Sequence, residues 1–197
     1  MSFRIEKKIY IKKEHLLEFK KFLSENNVKK LHNSRDVEST YFENRFNQIY
    51  FDSIEGLCPR KKIRVRSYPD DLNKDYFLEL KISSIEGRYK TNKKISEKER
   101  TKMFKYGVFD KKYGKCLPKL NVRYKRNYYF NKDVRVTLDT NIQYKIFNSS
   151  IVKKDPNVIV ELKTNINKSI DELFEKYPFQ EIRFSKYCNG LQLTQNF

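Results

Sequence analysis

Two short runs of sequence decide the fold: residues 61–68, KKIRVRSY, and residues 77–81, FLELK. Both runs alternate with a period of two, which is the pattern of a β-strand whose side chains point to opposite faces. In the first run Arg64 and Arg66 fall on one face, and the aliphatic side chains between them fall on the other. If the two strands pair, Glu79 stands beside the two arginines. The pattern therefore predicts a rigid sheet with one apolar face and one charged face.

Further strands are predicted where similar alternation returns along the chain, at residues 3–11, 88–95, 121–130, 133–142 and 157–165, and a short strand is predicted at 48–51. Helices are predicted from helical spacing of apolar residues or from N-cap signals, at 14–26, 96–107 and 169–177. With about eight strands and little helix between most of them, the chain is predicted to form an α+β fold with an antiparallel sheet.

The composition favours a soluble protein that binds anions. The chain has 197 residues, of which 38% are hydrophobic, and this suits a single domain over 1–197 with its own core. Its net charge of +18 predicts an anionic partner: nucleic acid, an acidic membrane surface or a phosphate-rich small molecule.

No apolar run approaches the roughly 20 residues of a membrane span, and the N-terminus has no signal-peptide core, so we expect a cytoplasmic protein. Three scattered cysteines predict reduced thiols, without a disulfide framework or a zinc site.

The charged strand faces allow two arrangements. In an open sheet they would face water, which is the simpler interpretation. In a closed barrel of about eight strands they would line an interior that can hold one small ligand. Buried Arg and Lys side chains need anionic partners, and a polyphosphate chain matches their hydrogen-bonding groups. Carboxylates on the same faces would then need a divalent cation between themselves and the phosphates.

Seven short motifs occur in one order over nearly the whole chain. They are RIEKK at 4–8, KIRVRSY at 62–68, ELK at 79–81, YKR at 124–126, RVTLD at 135–139, VELK at 160–163 and SKY at 185–187. In this order they resemble the VTC-type polyphosphate polymerase domain of the triphosphate tunnel metalloenzyme (CYTH-like) superfamily. The resemblance implies an eight-stranded antiparallel β-barrel tunnel with a charged lumen and with helices packed outside. It covers 1–197 as one domain, without the SPX region and the transmembrane helices of full-length relatives.

The resemblance also implies which residues bind the substrate. The implied phosphate ligands are Lys8, Arg64, Arg66, Lys81, Lys90, Tyr124, Arg126, Arg135, Lys163, Ser185 and Lys186. All of these except Lys90, Tyr124 and Ser185 are also implied to take part in catalysis. Glu161 is implied as the main ligand of a Mn²⁺ or Mg²⁺ ion, with Glu6 second. Glu79 is either a further metal ligand or a salt-bridge partner that orients Arg64 or Lys81.

The implied reaction moves the terminal phosphoryl group of a nucleoside triphosphate, ATP, onto pyrophosphate or a polyphosphate chain. Hydrolytic tunnel enzymes carry an N-terminal ExExK motif whose glutamates help to hold metal and orient water, and here Arg4 occupies the first of those positions. A phosphate acceptor is already ionised, so it needs charge neutralisation and no general base. Two alternatives stay open. One is a triphosphatase; the other is a module that binds polyphosphate or nucleic acid, because 43 Lys and Arg are interleaved with 14 Tyr and 15 Phe.

Overall fold

The structure is a computed structural model that describes residues 5–71, 73, 75–131, 134–164 and 180–195. Its main feature is a sheet of ten strands. The strands are β1 (Ile5–Lys12), β2 (Lys29–Glu43), β3 (Arg60–Ser67), β4 (Tyr76–Ser84), β5 (Gly87–Ile95), β6 (Val108–Asp110), β7 (Gly114–Asn131), β8 (Val134–Ile146), β9 (Lys153–Lys154) and β10 (Asn157–Thr164).

The hydrogen-bonded order of the sheet is β1-β10-β8-β7-β2-β3-β4-β5, with β6 beside β7 and β9 beside β8. The pairings of β10 with β1 and with β8 are antiparallel, and so are those of β3 with β2 and with β4, and of β5 with β4. Together with the helices, this confirms the predicted α+β fold with an antiparallel sheet. Among the described residues no pairing joins β1 to β5, so the closed barrel stays a prediction.

Four helices accompany the sheet: α1 (Leu16–Glu25), which follows a 3-10 turn, α2 (Gln48–Glu55), α3 (Glu97–Tyr106) and α4 (Lys186–Gln195). Helix α3 begins where the sequence predicts it. The Ser96 hydroxyl accepts a hydrogen bond from the Glu99 backbone N–H at 3.2 Å, and the Glu99 carboxylate accepts one from the Ser96 backbone N–H at 2.8 Å. This capping box satisfies two backbone donors that the helix itself cannot satisfy. None of the described helices is both long enough and apolar enough to cross a membrane.

Helix α2 corrects the prediction of a strand at 48–51. The backbone N–H groups of Ile49 and Tyr50 donate to the Glu43 carboxylate at 3.1 and 2.9 Å, and that of Gln48 donates to the Asn44 side chain at 3.0 Å. These acceptors satisfy the free donors at the start of a helix, and a negative charge is favourable there. Acceptors that precede residues 48–51 therefore start a helix where a short strand is predicted.

The sequence does not predict strands β2, β6 and β9 or helix α4, and one prediction cannot be compared. Strand β2 has 15 residues, and its outer half carries few apolar side chains, so its alternation is weak. Helix α4 lies in the C-terminal run for which no element was predicted. The helix predicted at 169–177 lies outside the described residues.

The chain forms two compact units. Unit 1 takes its residues from Met1–Arg35, Tyr124–Ile142 and Lys154–Phe184, and unit 2 takes its residues from Asp36–Arg123, Gln143–Lys153 and Ser185–Phe197. The prediction of a single domain over 1–197 stays a prediction.

The core of unit 1 lies on the apolar face of its strands. Ile9 of β1, Val136 of β8 and Val160 of β10 are buried there, together with Phe19 and Leu23 of α1. The alternation that buries these side chains directs their neighbours in sequence to the other face. In unit 1 that other face carries the charged residues.

In unit 2, α4 packs closely against β7 and β8. A Cβ atom at Gly190 would lie 2.6 Å from the Tyr144 ring and 2.8 Å from the Leu120 side chain. Such contacts are shorter than non-bonded carbon atoms tolerate, so a residue without a side chain is required there. This close packing fixes the start of α4, where Ser185 and Lys186 lie.

Candidate functional site

The charged face of unit 2 is built around a buried ion pair between adjacent strands. Arg64 of β3 lies directly opposite Glu79 of β4. Its Nε and Nη2 atoms donate to Glu79 Oε2 at 2.7 and 2.5 Å, and Nη1 donates to the Tyr41 hydroxyl at 2.8 Å. Lys90 Nζ donates to the other carboxylate oxygen of Glu79, Oε1, at 2.7 Å. Glu79 is only 2% exposed, so these contacts compensate a charge that water does not reach.

This cationic surrounding shifts two pKa values. Burial would raise the pKa of Glu79, but Arg64 and Arg66 outweigh burial and lower it to about 2. Burial would likewise raise the pKa of the Tyr41 phenol, and the same two guanidinium groups lower it below its ordinary value. Arg66 is itself buried, with its Nε 3.3 Å from the Ser39 hydroxyl and its Nη1 3.9 Å from the Glu79 carboxylate.

A row of three lysines crosses the same face next to this pair. Lys62 of β3 lies opposite Lys81 of β4, which lies opposite Lys90 of β5. Like charges directly opposite each other destabilise a sheet unless something compensates them. Lys90 reaches Glu79, and Lys62 Nζ donates to the Ser185 hydroxyl at 2.7 Å, which is a neutral partner. The row therefore suits an anion.

The charged face of unit 1 is arranged differently, with acids and bases in alternation. On the paired strands β1 and β10, Glu6 lies opposite Lys163 and Lys8 lies opposite Glu161. Lys163 Nζ lies 2.6 Å from Glu161 Oε1 and 3.5 Å from Glu6 Oε2, and Lys8 Nζ lies 3.0 Å from Glu6 Oε1. Lys8 Nζ also donates to the Phe184 carbonyl at 3.1 Å. Two carboxylates thus share one ammonium group between them.

Glu161 is held in its ionised form. Burial would raise its pKa, but Lys163, Arg126 and Lys8 together lower it well below the ordinary range of a glutamate. A buried carboxylate that stays charged is a ligand that a hard divalent cation prefers.

Arg126 completes this face from β7. It forms a two-point ion pair with Asp139, with Nε–Oδ1 and Nη2–Oδ2 distances of 2.6 and 2.7 Å. Burial would lower the pKa of Arg126, but Asp139 outweighs burial and raises this pKa well above the ordinary value. Its guanidinium carbon also lies 5.2 Å from the centre of the Tyr124 ring. Arg135 is exposed and lies 5.6 Å from the centre of the Tyr128 ring.

The two faces therefore differ in their balance of charge. In unit 1 three carboxylates, those of Glu6, Asp139 and Glu161, accompany the cations Lys8, Arg126, Arg135 and Lys163. In unit 2 one carboxylate, that of Glu79, accompanies the cations Lys62, Arg64, Arg66, Lys81 and Lys90 on β3, β4 and β5. A face with this excess of positive charge has the electrostatic character of an anion-binding surface.

The residues that the resemblance implies fall into these two clusters. Arg64, Arg66, Lys81 and Lys90 lie on the unit 2 face, and Ser185 and Lys186 lie at the start of α4. Lys8, Tyr124, Arg126, Arg135, Glu161 and Lys163 belong to unit 1, together with Glu6.

Both oxygens of Glu79 are engaged by Arg64 and Lys90, which favours the salt-bridge role that the sequence left open. Across the part of the chain that the structure describes, no group of three or more His, Cys, Asp and Glu side chains is placed to hold a metal ion.

Three residues of these clusters were not proposed from the sequence. Lys62 could have been identified, because it has the same period-two phase as Arg64 and Arg66. Asp139 lies within the RVTLD motif, but its pairing with Arg126 joins two strands and has no local signal. Tyr41 lies on β2, which was not predicted, so nothing in the sequence places it beside Arg64.

Comparisons with known proteins agree with this architecture. The family model of the VTC domain matches residues 3–113 and 105–195. The search of curated proteins finds no match.

Several solved structures share the fold. A candidate adenylate cyclase from Bacillus halodurans is 15% identical with a TM-score of 0.64, and the alignment covers 94% of this chain and 96% of that one. The PH1819 protein from Pyrococcus horikoshii is 14% identical with a TM-score of 0.63, covering 98% and 99%. A candidate adenylyl cyclase from Hippeastrum, for which a dominant triphosphatase activity is described, is 16% identical with a TM-score of 0.54, covering 94% and 93%. At these identities the likeness concerns the fold.

The ion pair at Glu79 predicts a pH-dependent stability. Because the pKa of Glu79 is lowered from 4.5 to about 2, the unfolded chain binds more protons than the folded chain between these values. The stabilising contribution of Glu79 is therefore complete above pH 4.5 and is lost as the pH falls towards 2. Glu79→Gln should lower the free energy of unfolding by about 3 kcal/mol at pH 7, and the difference from wild type should shrink below pH 4.5.

The measurement is urea unfolding of both proteins at a series of pH values, followed by circular dichroism. Glu55→Gln serves as the control, because Glu55 is exposed at the end of α2. A difference between wild type and Glu79→Gln that is the same at pH 7 and pH 3 would contradict the assignment of a strongly lowered pKa.

Proposed function

Because the chain belongs to the VTC domain family, we propose that it is a phosphotransferase that moves the terminal phosphoryl group of ATP onto pyrophosphate or a growing polyphosphate chain. The observation that supports this proposal most directly is the excess of cations on the unit 2 face, where Glu79 is the single carboxylate on β3, β4 and β5. Two polyanions must approach each other in such a reaction, and their repulsion is the main electrostatic cost. The face supplies positive charge that is fixed before substrate arrives.

The arginines and lysines have different tasks in this proposal. Arg64 and Arg66 present planar forks that suit two oxygens of one phosphate group, and their positions are fixed by Glu79, Tyr41 and Ser39. The lysines of the row are point charges on flexible stems, and each ammonium has three donors. They can therefore follow a chain of phosphates without requiring one orientation.

Glu161 and Glu6 fit a divalent cation, because they already share one cationic group, the Lys163 ammonium, at 2.6 and 3.5 Å. These two carboxylates would hold Mn²⁺ or Mg²⁺, which are commonly bound in proteins by one or two carboxylates together with substrate phosphates. When bound, such an ion would neutralise charge on the phosphate oxygens. Lys8 and Arg126, together with Lys163, would keep Glu161 ionised by their positive charge.

A triphosphatase is the second candidate. It is favoured by the three carboxylates on the unit 1 face and by the activity described for the Hippeastrum protein of the same fold. The transferase is preferred because a phosphate acceptor arrives ionised, whereas water must lose a proton. Transfer to a phosphate acceptor therefore does not require a general base.

The deciding experiment is a product analysis. We expect that incubation with ATP, Mn²⁺ and a pyrophosphate primer yields a ladder of phosphate chains on a gel, with ADP formed in proportion to chain growth. Free phosphate in stoichiometric amounts without chains would replace the transferase with the triphosphatase. If neither product forms, the proposal of an enzyme is wrong, and a polyphosphate- or nucleic-acid-binding module takes its place.

Removal of one arginine tests the anion site itself. Arg66→Ala should weaken the binding of tripolyphosphate by about tenfold to a thousandfold, because a buried charge-assisted partner is lost. Lys102→Ala removes an exposed charge of α3 and should leave the affinity unchanged. Titration calorimetry without metal measures both variants, after circular dichroism has shown that they are folded. Equal losses in the two variants would favour diffuse binding over the protein surface.

Substitution of the central glutamate tests the metal ligands. Glu161→Gln should abolish turnover with either Mn²⁺ or Mg²⁺ but retain tripolyphosphate binding, because Lys163 and Arg126 remain in place. It should also weaken Mn²⁺ binding measured by electron paramagnetic resonance in the presence of a non-hydrolysable ATP analogue. Normal turnover in this variant would exclude Glu161 as the principal metal ligand.

A further inference from the structure

A small cavity lies in unit 2 on the side of the sheet opposite to the charged face. Its volume is about 80 Å³, and it is bounded by strands β2, β3, β4 and β7 and by helix α3. Thr40 and Ser67 line it, whereas their neighbours Tyr41 and Arg66 point to the charged face. We call it the back cavity. It shares strands β2, β3 and β4 with the charged face but none of the side chains that form the ion pair there.

Arg100 of α3 is the cation of the back cavity. Its guanidinium carbon lies 4.5 Å from the centre of the Tyr76 ring and 5.2 Å from the centre of the Phe104 ring. Aromatic rings that cover the faces of a guanidinium group leave its N–H groups, which lie at the edge, for acceptors. Its Nε atom is buried and has no hydrogen-bond partner among the described residues. A buried donor without an acceptor is costly, so a missing acceptor is indicated.

The acid nearest to Arg100 does not supply that acceptor. Glu97 lies one turn earlier on α3, and its carboxylate is 3.8 Å from Arg100 Nη2. The Glu97 side chain is 75% exposed, so water screens this contact. The Arg100 side chain is 30% exposed, which means that a small solute can reach it.

The rest of the wall supplies further polar groups. The Thr40 hydroxyl donates to Asn121 Oδ1 at 2.8 Å, so the Asn121 amide is left with its NH₂ end as the available group. Ser67 and Tyr76, which both carry a hydroxyl group, also line the cavity. Glu38 contributes a carboxylate to the wall, and it interacts electrostatically with Arg123. The unused groups together suit a compact ligand with several acceptor oxygens.

We propose that the back cavity binds a tetrahedral oxyanion, with inorganic phosphate as its ligand. A cavity needs roughly 10–15 Å³ of such volume to hold one water, so the back cavity has room for a few waters or for one ion of this size. The edge of Arg100 would hold two of the oxygens, and Asn121, Ser67 and Tyr76 would donate to the others. This site goes beyond the proposed phosphotransferase function, because it lies on the other side of β3 from Arg64 and Arg66.

The first test locates the anion directly. Crystals of the wild-type protein are soaked in selenate, a tetrahedral anion whose selenium atom gives an anomalous signal. We expect a peak within hydrogen-bonding distance of the Arg100 guanidinium group. A cavity that holds water only, while selenate occupies the charged face, would overturn the proposal.

The second test measures affinity with the charged face already occupied. The protein is saturated with tripolyphosphate in the presence of EDTA and then titrated with phosphate, sulfate or acetate in a calorimeter. We expect one further site for phosphate or sulfate, and binding of acetate at least tenfold weaker. Arg100→Gln should weaken phosphate binding at least tenfold and leave the affinity for tripolyphosphate unchanged.

Two variants make the result specific to Arg100. Arg100→Lys keeps the charge but loses the planar fork, so it should bind phosphate with intermediate affinity. Lys102→Gln removes a charge from the same helix outside the cavity and should bind phosphate as the wild type does. Equal phosphate affinity in the wild type and Arg100→Gln would show that the site does not exist. If Arg100→Gln does not fold, the selenate experiment and Arg100→Lys decide.

Discussion

The structure of unit 2 depends on the burial of one ion pair, Arg64 with Glu79. Removing one partner of a buried pair leaves an uncompensated charge, which costs about 3–5 kcal/mol. The pair also fixes how β3 lies against β4, because a slip of one residue would turn Arg64 towards the apolar face. Lys90 and Tyr41 complete the hydrogen bonds of the pair from β5 and β2, so four neighbouring strands are held in one register by a single carboxylate and its donors.

The same chemical groups serve a different purpose in unit 1. There, opposite charges face each other across β1 and β10, and the pattern of Glu6 with Lys163 and Lys8 with Glu161 is locally neutral. Such a surface can exchange one cation for another at low electrostatic cost. The lysine row of unit 2 cannot do this, because its charges have the same sign. The proposed metal ligands and the lysine row therefore lie on different strands.

The sequence predicts the strands that alternate strictly, and it fails where distant residues decide. Residues 61–68 and 77–81 pair as expected, because their period-two pattern predicts one apolar face and one charged face. Residues 48–51 are predicted as a short strand, yet they begin a helix, because Glu43 and Asn44 supply acceptors that no local pattern reveals. In the same way Arg126 and Arg64 are visible as cations, whereas their partners Asp139 and Tyr41 come from other strands. The pattern of one strand does not reveal which side chains of other strands its residues contact.

Glu43 connects three elements of unit 2 through one side chain. Its carboxylate accepts hydrogen bonds from the first turn of α2 and from the Tyr187 hydroxyl of α4, and burial raises the pKa of this carboxyl group. The Tyr187 ring also lies 5.1 Å from the Tyr41 ring on β2. Helices α2 and α4 are thereby joined to the sheet at one point, so they form one cooperative unit of local unfolding. Their backbone amides would exchange with deuterium in a common opening event, and the start of α4, with Ser185 and Lys186, would open together with α2.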